Sequence, residues 1–105
     1  MYYTYMLRCE DNSIYTGITS DIKRRMEEHF SQNKKCAKYT LTHQAQKLEC
    51  VWESENRILA SKLEFHIKKN LTKKEKEALI KNNDLLDSLL GEKIETSQYE
   101  AIKVN

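Results

Sequence analysis

Tyr2-Tyr3-Thr4-Tyr5-Met6-Leu7-Arg8-Cys9-Glu10-Asp11-Asn12-Ser13-Ile14-Tyr15-Thr16-Gly17-Ile18 is the stretch on which the fold turns. Tyr2 to Cys9 is rich in tyrosine and threonine, residue types that fit a pleated, half-buried surface. Glu10-Asp11-Asn12-Ser13 is a turn cluster, and Ser13 to Ile18 is strand-like again. The two runs predict a β-hairpin. Its register matters. A two-residue turn at Asp11-Asn12 would pair Arg8 with Tyr15 and put Tyr5 and Tyr15 on opposite faces, because a one-residue slip flips every side chain. A shared site for the two tyrosines therefore requires a turn with an odd number of residues, or a bulge near Gly17. The chain has only two glycines, and one inside a strand marks a bulge or a close approach to the backbone.

Working outward, Ser20 or Asp21 can cap a helix to about Ser31, with Ile22, Met26 and Phe30 as its apolar stripe. A polar loop spans Gln32 to Thr42, and Leu48 to Trp52 reads as a third strand with Trp52 in the core. Ser54 or Asn56 can cap the next helix, striped by Leu59, Ala60, Leu63, Ile67 and Leu71. Thr72-Lys73-Lys74-Glu75 has capping-box spacing and opens a helix to about Ile80. Asn82-Asn83 breaks it, Asp84 to Leu90 can form a short helix, and Gly91 stops it. The order β-β-α-β-α-α describes an α+β domain over residues 1–81. Residues 82–105 read as a short helix followed by a mobile acidic tail.

The 105 residues suffice for one domain, expected to be a monomer. No apolar run is long enough to span a bilayer and the N-terminus lacks a signal-peptide pattern, so a cytoplasmic protein without membrane contact is expected. Three widely spaced cysteines without a CxxC read as reduced thiols. Residues 1–81 carry sixteen Lys and Arg against eleven Asp and Glu, whereas residues 82–105 carry two against five. A mildly basic body fits a phosphate-rich partner.

Arg25 and His29 are four apart and lie one helical turn apart, beside the apolar stripe. Glu64 also borders its helix's stripe. A carboxylate at a partly buried edge is costly unless it is paired or holds a cation. It can pair with Lys68 as an i,i+4 ion pair, or bind a metal.

Tyr3-Thr4-Tyr5, Tyr15-Thr16-Gly17, Arg25, His29 and Glu64, in this order and spacing, resemble the GIY-YIG endonuclease domain, in particular its small stand-alone bacterial members. Glu64 followed by Ile67-Lys68-Lys69, and the Lys38-Tyr39-Thr40 stretch, share the likeness. The resemblance covers about residues 2–81. It implies a three-stranded antiparallel sheet flanked by helices and metal-dependent hydrolysis of phosphodiester bonds, most readily in DNA, with low sequence specificity. It implies that Tyr5 or Tyr15 helps activate the attacking water, that Arg25 contacts the scissile phosphate and that Glu64 holds one divalent ion, Mg²⁺ or Mn²⁺. His29 joins them as a donor or proton shuttle. Arginine answers the charge of a pentacoordinate phosphate, and its planar fork grips two oxygens where lysine grips one. Lys34, Lys35, Lys38 and Tyr39 are candidates for contact with nucleic acid, and Gly17 for a structural role. Tyr3 stands where the first motif has glycine, and Thr16 where the second has isoleucine or valine. Ile18 replaces a lysine found in some members, so that lysine is not available as a base. The rival readings are a catalytically silent nucleic-acid-binding module and a protein-interaction module.

Overall fold

A computed structural model describes residues 1–32 and 35–104. Its elements are β1 (Tyr2–Cys9), β2 (Ile14–Thr19), α1 (Ile22–Ser31), α2 (Lys38–Thr42), β3 (Ala45–Ser54), α3 (Arg57–Asn70), α4 (Lys73–Lys81), α5 (Leu86–Leu90) and β4 (Glu100–Ile102). The strands form one antiparallel sheet in the order β2-β1-β3-β4. The architecture is α+β as expected, but with four strands instead of three.

The hairpin has the odd turn. Leu7 pairs with Tyr15 and Arg8 with Ile14, and the Cys9 N–H donates to the Ser13 carbonyl at 2.9 Å. Three residues, Glu10, Asp11 and Asn12, make the turn, and Asn12 takes the left-handed conformation at φ 70°. Such a turn wants glycine or asparagine at that position, because asparagine tolerates positive φ better than most side chains. Tyr5 pairs with Gly17, so Tyr5, Leu7, Tyr15 and Gly17 share one face.

Each face has its own core. On the Tyr5 face, Leu7, Val51 and Ala45 pack with Ile22 and Met26 of α1. On the other, Met6, Cys50 and Trp52 meet Leu63 and Ile67 of α3, Leu79 of α4 and Leu86 and Leu90 of α5. Asp21 caps α1, Asn56 caps α3 and Thr72 with Glu75 forms the capping box of α4. Arg8 ties the sheet to α4, pairing with Glu77 and with Glu49 at 3.1 Å.

Three expectations are corrected. The apolar stripe of α1 does not include Phe30, which is exposed; His29 takes the inward position instead. The stretch expected to be a loop up to Thr42 contains the helical turn α2. The acidic tail is not loose. Ile94 and Tyr99 enter the core, the Tyr99 hydroxyl donates to the Leu59 carbonyl at 2.7 Å, and Glu100–Ile102 pairs with β3. Three residues are too few to show a strand period in sequence; their pairing is fixed by the edge of β3 that they meet.

Candidate active site

The site is built around Tyr5, whose ring is fully buried. Gly17 makes room for it. A Cβ at Gly17 would stand 2.6 Å from the Tyr5 hydroxyl oxygen and 2.9 Å from Tyr15 Cε2. The glycine inside β2 thus marks a close approach and not a bulge. The irregularities of the sheet lie between β1 and β3.

His29 reaches in from α1 and packs against both tyrosines, with ring centroids 5.6 Å from Tyr5 and 5.5 Å from Tyr15. Its Nε2 lies 2.7 Å from the Tyr5 hydroxyl and its Nδ1 2.8 Å from Thr40 Oγ1. Proton accounting fixes the direction of this chain. The single Thr40 hydroxyl proton goes to the Ala37 carbonyl at 3.1 Å, so Thr40 can only accept from His29. His29 therefore carries its proton on Nδ1, and Nε2 accepts from the Tyr5 O–H. Burial, reinforced by the Arg25 charge and opposed by Glu28, lowers the His29 pKa to about 4. The imidazole is neutral near pH 7, as this chain requires.

Burial also pushes the Tyr5 phenol well above its ordinary range. The Arg25 guanidinium opposes this, while Tyr15 and Glu64 add to it. Tyr5 therefore rests as the neutral phenol, because desolvation outweighs the arginine. Tyr5 and His29 are both 0 % exposed, so neither meets a substrate in this arrangement. They form the floor of the site.

Tyr15 is half-buried, and its hydroxyl makes no hydrogen bond among the described residues. Its ring centroid is 5.7 Å from that of Tyr39, with the rings stacked, and Tyr39 stacks in turn on His43 at 4.0 Å. His43 Nδ1 lies 2.6 Å from Asp11 Oδ2, on the hairpin turn. The α2 segment is thus held over β2 by an aromatic ladder with a polar anchor. The sequence gives neither Thr40 nor His43 a site role of its own; its hint is the Lys38-Tyr39-Thr40 stretch.

Arg25 Nη1 pairs with Glu28 at 2.7 Å and also donates to the Lys35 carbonyl. A guanidinium has five N–H donors, so this anchorage leaves others for a ligand. Glu64 borders the cluster from α3 and is bound by Lys68 at 3.3 Å, while the Lys68 ammonium sits 5.5 Å from the centre of the Tyr15 ring. The ion pair weighed from the sequence is therefore formed. The described residues hold no cluster of three or more His, Cys, Asp or Glu able to cage a metal. A lone carboxylate fits an ion that keeps most of its waters and shares substrate oxygens, such as Mg²⁺ or Mn²⁺, and does not fit a zinc-like cage. Lys38 is exposed at the start of α2 and Lys35 lies beside Arg25; Lys34 lies outside the described residues.

The structure thus brings Tyr5, Tyr15, Arg25, His29, Tyr39 and Glu64 into one region, and splits them into a buried floor and an accessible rim. Residues 1–78 match the GIY-YIG catalytic domain family. UPF0213 protein FN1575 of Fusobacterium nucleatum is 51% identical over 83 residues, which cover 79% of this chain and 80% of that one. UPF0213 protein YsiG of Lactococcus lactis is 38% identical over 101 residues, covering 96% and 94%. The solution NMR structure of UPF0213 protein BH0048 from Bacillus halodurans is 35% identical, covers 77% of this chain and 84% of that one, and gives a TM-score of 0.46.

Proposed function

The chain belongs to the GIY-YIG catalytic domain family, a family of nucleases, and from that premise we propose that it is a divalent-metal-dependent endonuclease acting on DNA. The observation that carries this reading is the accessible rim of the cluster. The Tyr15 phenol, the Arg25 guanidinium and the Glu64 carboxylate surround a buried Tyr5–His29–Thr40 chain.

Each group has a task that its surroundings suit. Arg25, anchored by Glu28, presents remaining donors to the non-bridging oxygens of the phosphate, where negative charge grows in the transition state. Tyr15 is the phenol that reaches solvent and orients the attacking water. Tyr5 and His29 are positioning residues: they hold the Tyr15 ring and fix the floor beneath it. Glu64 would hold the metal together with waters and phosphate oxygens. Such an ion, when bound, neutralises phosphate charge and lowers the pKa of a bound water. Binding rests mainly on phosphate contacts, so sequence preference is low and affinity falls steeply with salt.

The test is cleavage of labelled single-stranded, flap and branched DNA with Mg²⁺ or Mn²⁺. Glu64→Ala and Arg25→Ala should each lower the rate at least about 100-fold, with unchanged circular dichroism. A wild-type protein that binds these DNAs and cuts none of them refutes the enzyme reading. One observation favours that rival, a silent nucleic-acid-binding module: Lys68 already neutralises Glu64. Lys68→Ala separates the two, because it should strengthen metal dependence in an enzyme and only weaken DNA binding in a silent module.

A further inference from the structure

Helix α3 carries a second face that neither core uses. Ile58 is 77 % exposed and Phe65 53 %; the N-terminal Met1 aside, these are the two most exposed large apolar side chains among the described residues. They are seven residues apart, so they stand on one side of the helix about two turns apart. With Arg57, Ser61 and Lys62 they line an open depression of about 560 Å³. The Lys69 ammonium lies 5.4 Å from the centre of the Phe65 ring, and the His66 ring meets it edge-on at 5.1 Å.

The charge around these two side chains has one sign. From Arg57 to Asn70 the helix carries Arg57, Lys62, Lys68 and Lys69 against a single acid, Glu64, and that acid is engaged by Lys68. An exposed aromatic ring among cations is what an unpaired nucleotide needs, namely a flat face to stack its base and ammonium groups near its phosphates. An acidic protein segment would also be drawn to the charge, but Ile58 and Phe65 alone give it little apolar surface to bury. The face is also continuous with the candidate site. Phe65 and Lys68 are i,i+3 neighbours, and Lys68 touches both Glu64 and Tyr15.

We propose that Phe65, flanked by Lys62 and Lys69, is a stacking platform for an unpaired nucleobase close to the phosphate that Arg25 contacts, which makes single-stranded or flapped nucleic acid the preferred substrate class. This rests on the nuclease reading and sharpens it. In a duplex the base faces are taken by their neighbours, so the platform contributes only to strands with an open base.

The experiment is fluorescence anisotropy with a labelled single-stranded oligonucleotide and with the same sequence as a blunt duplex, without divalent metal, on the full chain. Phe65→Ala should weaken single-strand binding about tenfold or more and leave duplex binding within about twofold. Phe65→Trp should restore it and show indole quenching on binding. Because Phe65 is exposed, these substitutions leave the core intact. Equal single-strand affinity of wild type and Phe65→Ala, or equal losses on both DNAs, overturns the platform; if cleavage persists in that case, the nuclease reading stands without it. If wild type neither binds nor cuts any nucleic acid, the nuclease reading fails and the platform with it. If sedimentation shows a dimer that Phe65→Ala dissociates, and single-strand affinity does not change, the patch is a contact between two copies and the proposal is overturned.

Discussion

Replacing Thr40 by valine should disable the site from behind without touching any group that meets solvent. The Thr40 side chain is fully buried, accepts the Nδ1 proton of His29 at 2.8 Å and donates to the Ala37 carbonyl at 3.1 Å. Valine keeps the shape and removes both bonds. The Ala37 carbonyl retains the backbone N–H groups of Thr40 and Leu41 at 3.0 and 3.2 Å, so its loss is small. The buried Nδ1–H of His29 has no such reserve. Leaving it unsatisfied costs about 1–3 kcal/mol. The alternative is for His29 to move its proton to Nε2, which then faces the Tyr5 hydroxyl and reverses the hydrogen bond there. Either way stability falls by about 1–3 kcal/mol and the floor beneath Tyr15 loses its fixed direction. Urea unfolding gives the first quantity, and ¹⁵N chemical shifts of His29 report the tautomer directly. Thr40→Ser keeps the hydroxyl and should recover the wild-type tautomer and most of the activity. A Thr40→Val protein as stable as wild type, with its proton still on Nδ1, would refute the reasoning. So would a serine variant as impaired as valine.

Gly17→Ala should cost about 1–3 kcal/mol by overpacking, because its Cβ would fall 2.6 Å from the Tyr5 hydroxyl; thermal melting and tyrosine near-ultraviolet dichroism read this, and an unchanged Tyr5 signal would contradict it. The His29 pKa is lowered to about 4 in the fold, below an unfolded value near 6.5. The unfolded chain therefore takes up the proton first on acidification, and stability present above about pH 6.5 is lost as pH falls toward 4. About 2 kcal/mol should go between pH 7 and 5, and a His29→Gln variant should lack that dependence in urea titrations. Deleting residues 92–105 removes Ile94 and Tyr99 from the core, each worth about 2–5 kcal/mol. Such a loss approaches the whole stability of a small domain, so the truncated chain should be unfolded at 25 °C by circular dichroism. Tyr99→Phe, which loses only the bond to Leu59, should cost about 1 kcal/mol.

What the sequence revealed depended on how local the cause was. The hairpin, the caps at Asp21, Asn56 and Thr72, and the break at Asn82 follow from side chains acting on their own backbone, and all are found. Even the parity of the turn was constrained, since Tyr5 and Tyr15 can share a face only around an odd loop. His29 shows where local reasoning ends. An apolar count on α1 selects Phe30, but the buried position belongs to a polar ring satisfied by Tyr5, 24 residues away, and by Thr40, 11 residues away. Nothing near His29 in the chain announces those partners. The same holds for β4, whose strand conformation comes from the edge of β3. The balance between burial and Arg25 at Tyr5 is likewise absent from the sequence, because a spacing places two groups together without saying how much water remains.

The pairing of β4 with β3 also bears on solubility. β3 is ten residues long, and without a partner on its outer side it would present an open row of backbone donors and acceptors to any other chain. β4 covers Val51, Trp52 and Glu53, which takes in two of the three residues of the most apolar run, Cys50-Val51-Trp52. The stretch left unpaired before it on that side, from Ala45 to Cys50, carries Lys47 and Glu49, charges that deter a foreign strand. The three-residue strand is thus a guard set where the sheet would otherwise nucleate stacking between molecules. A chain lacking it should not merely unfold but form β-rich aggregates whose growth starts at Cys50–Trp52.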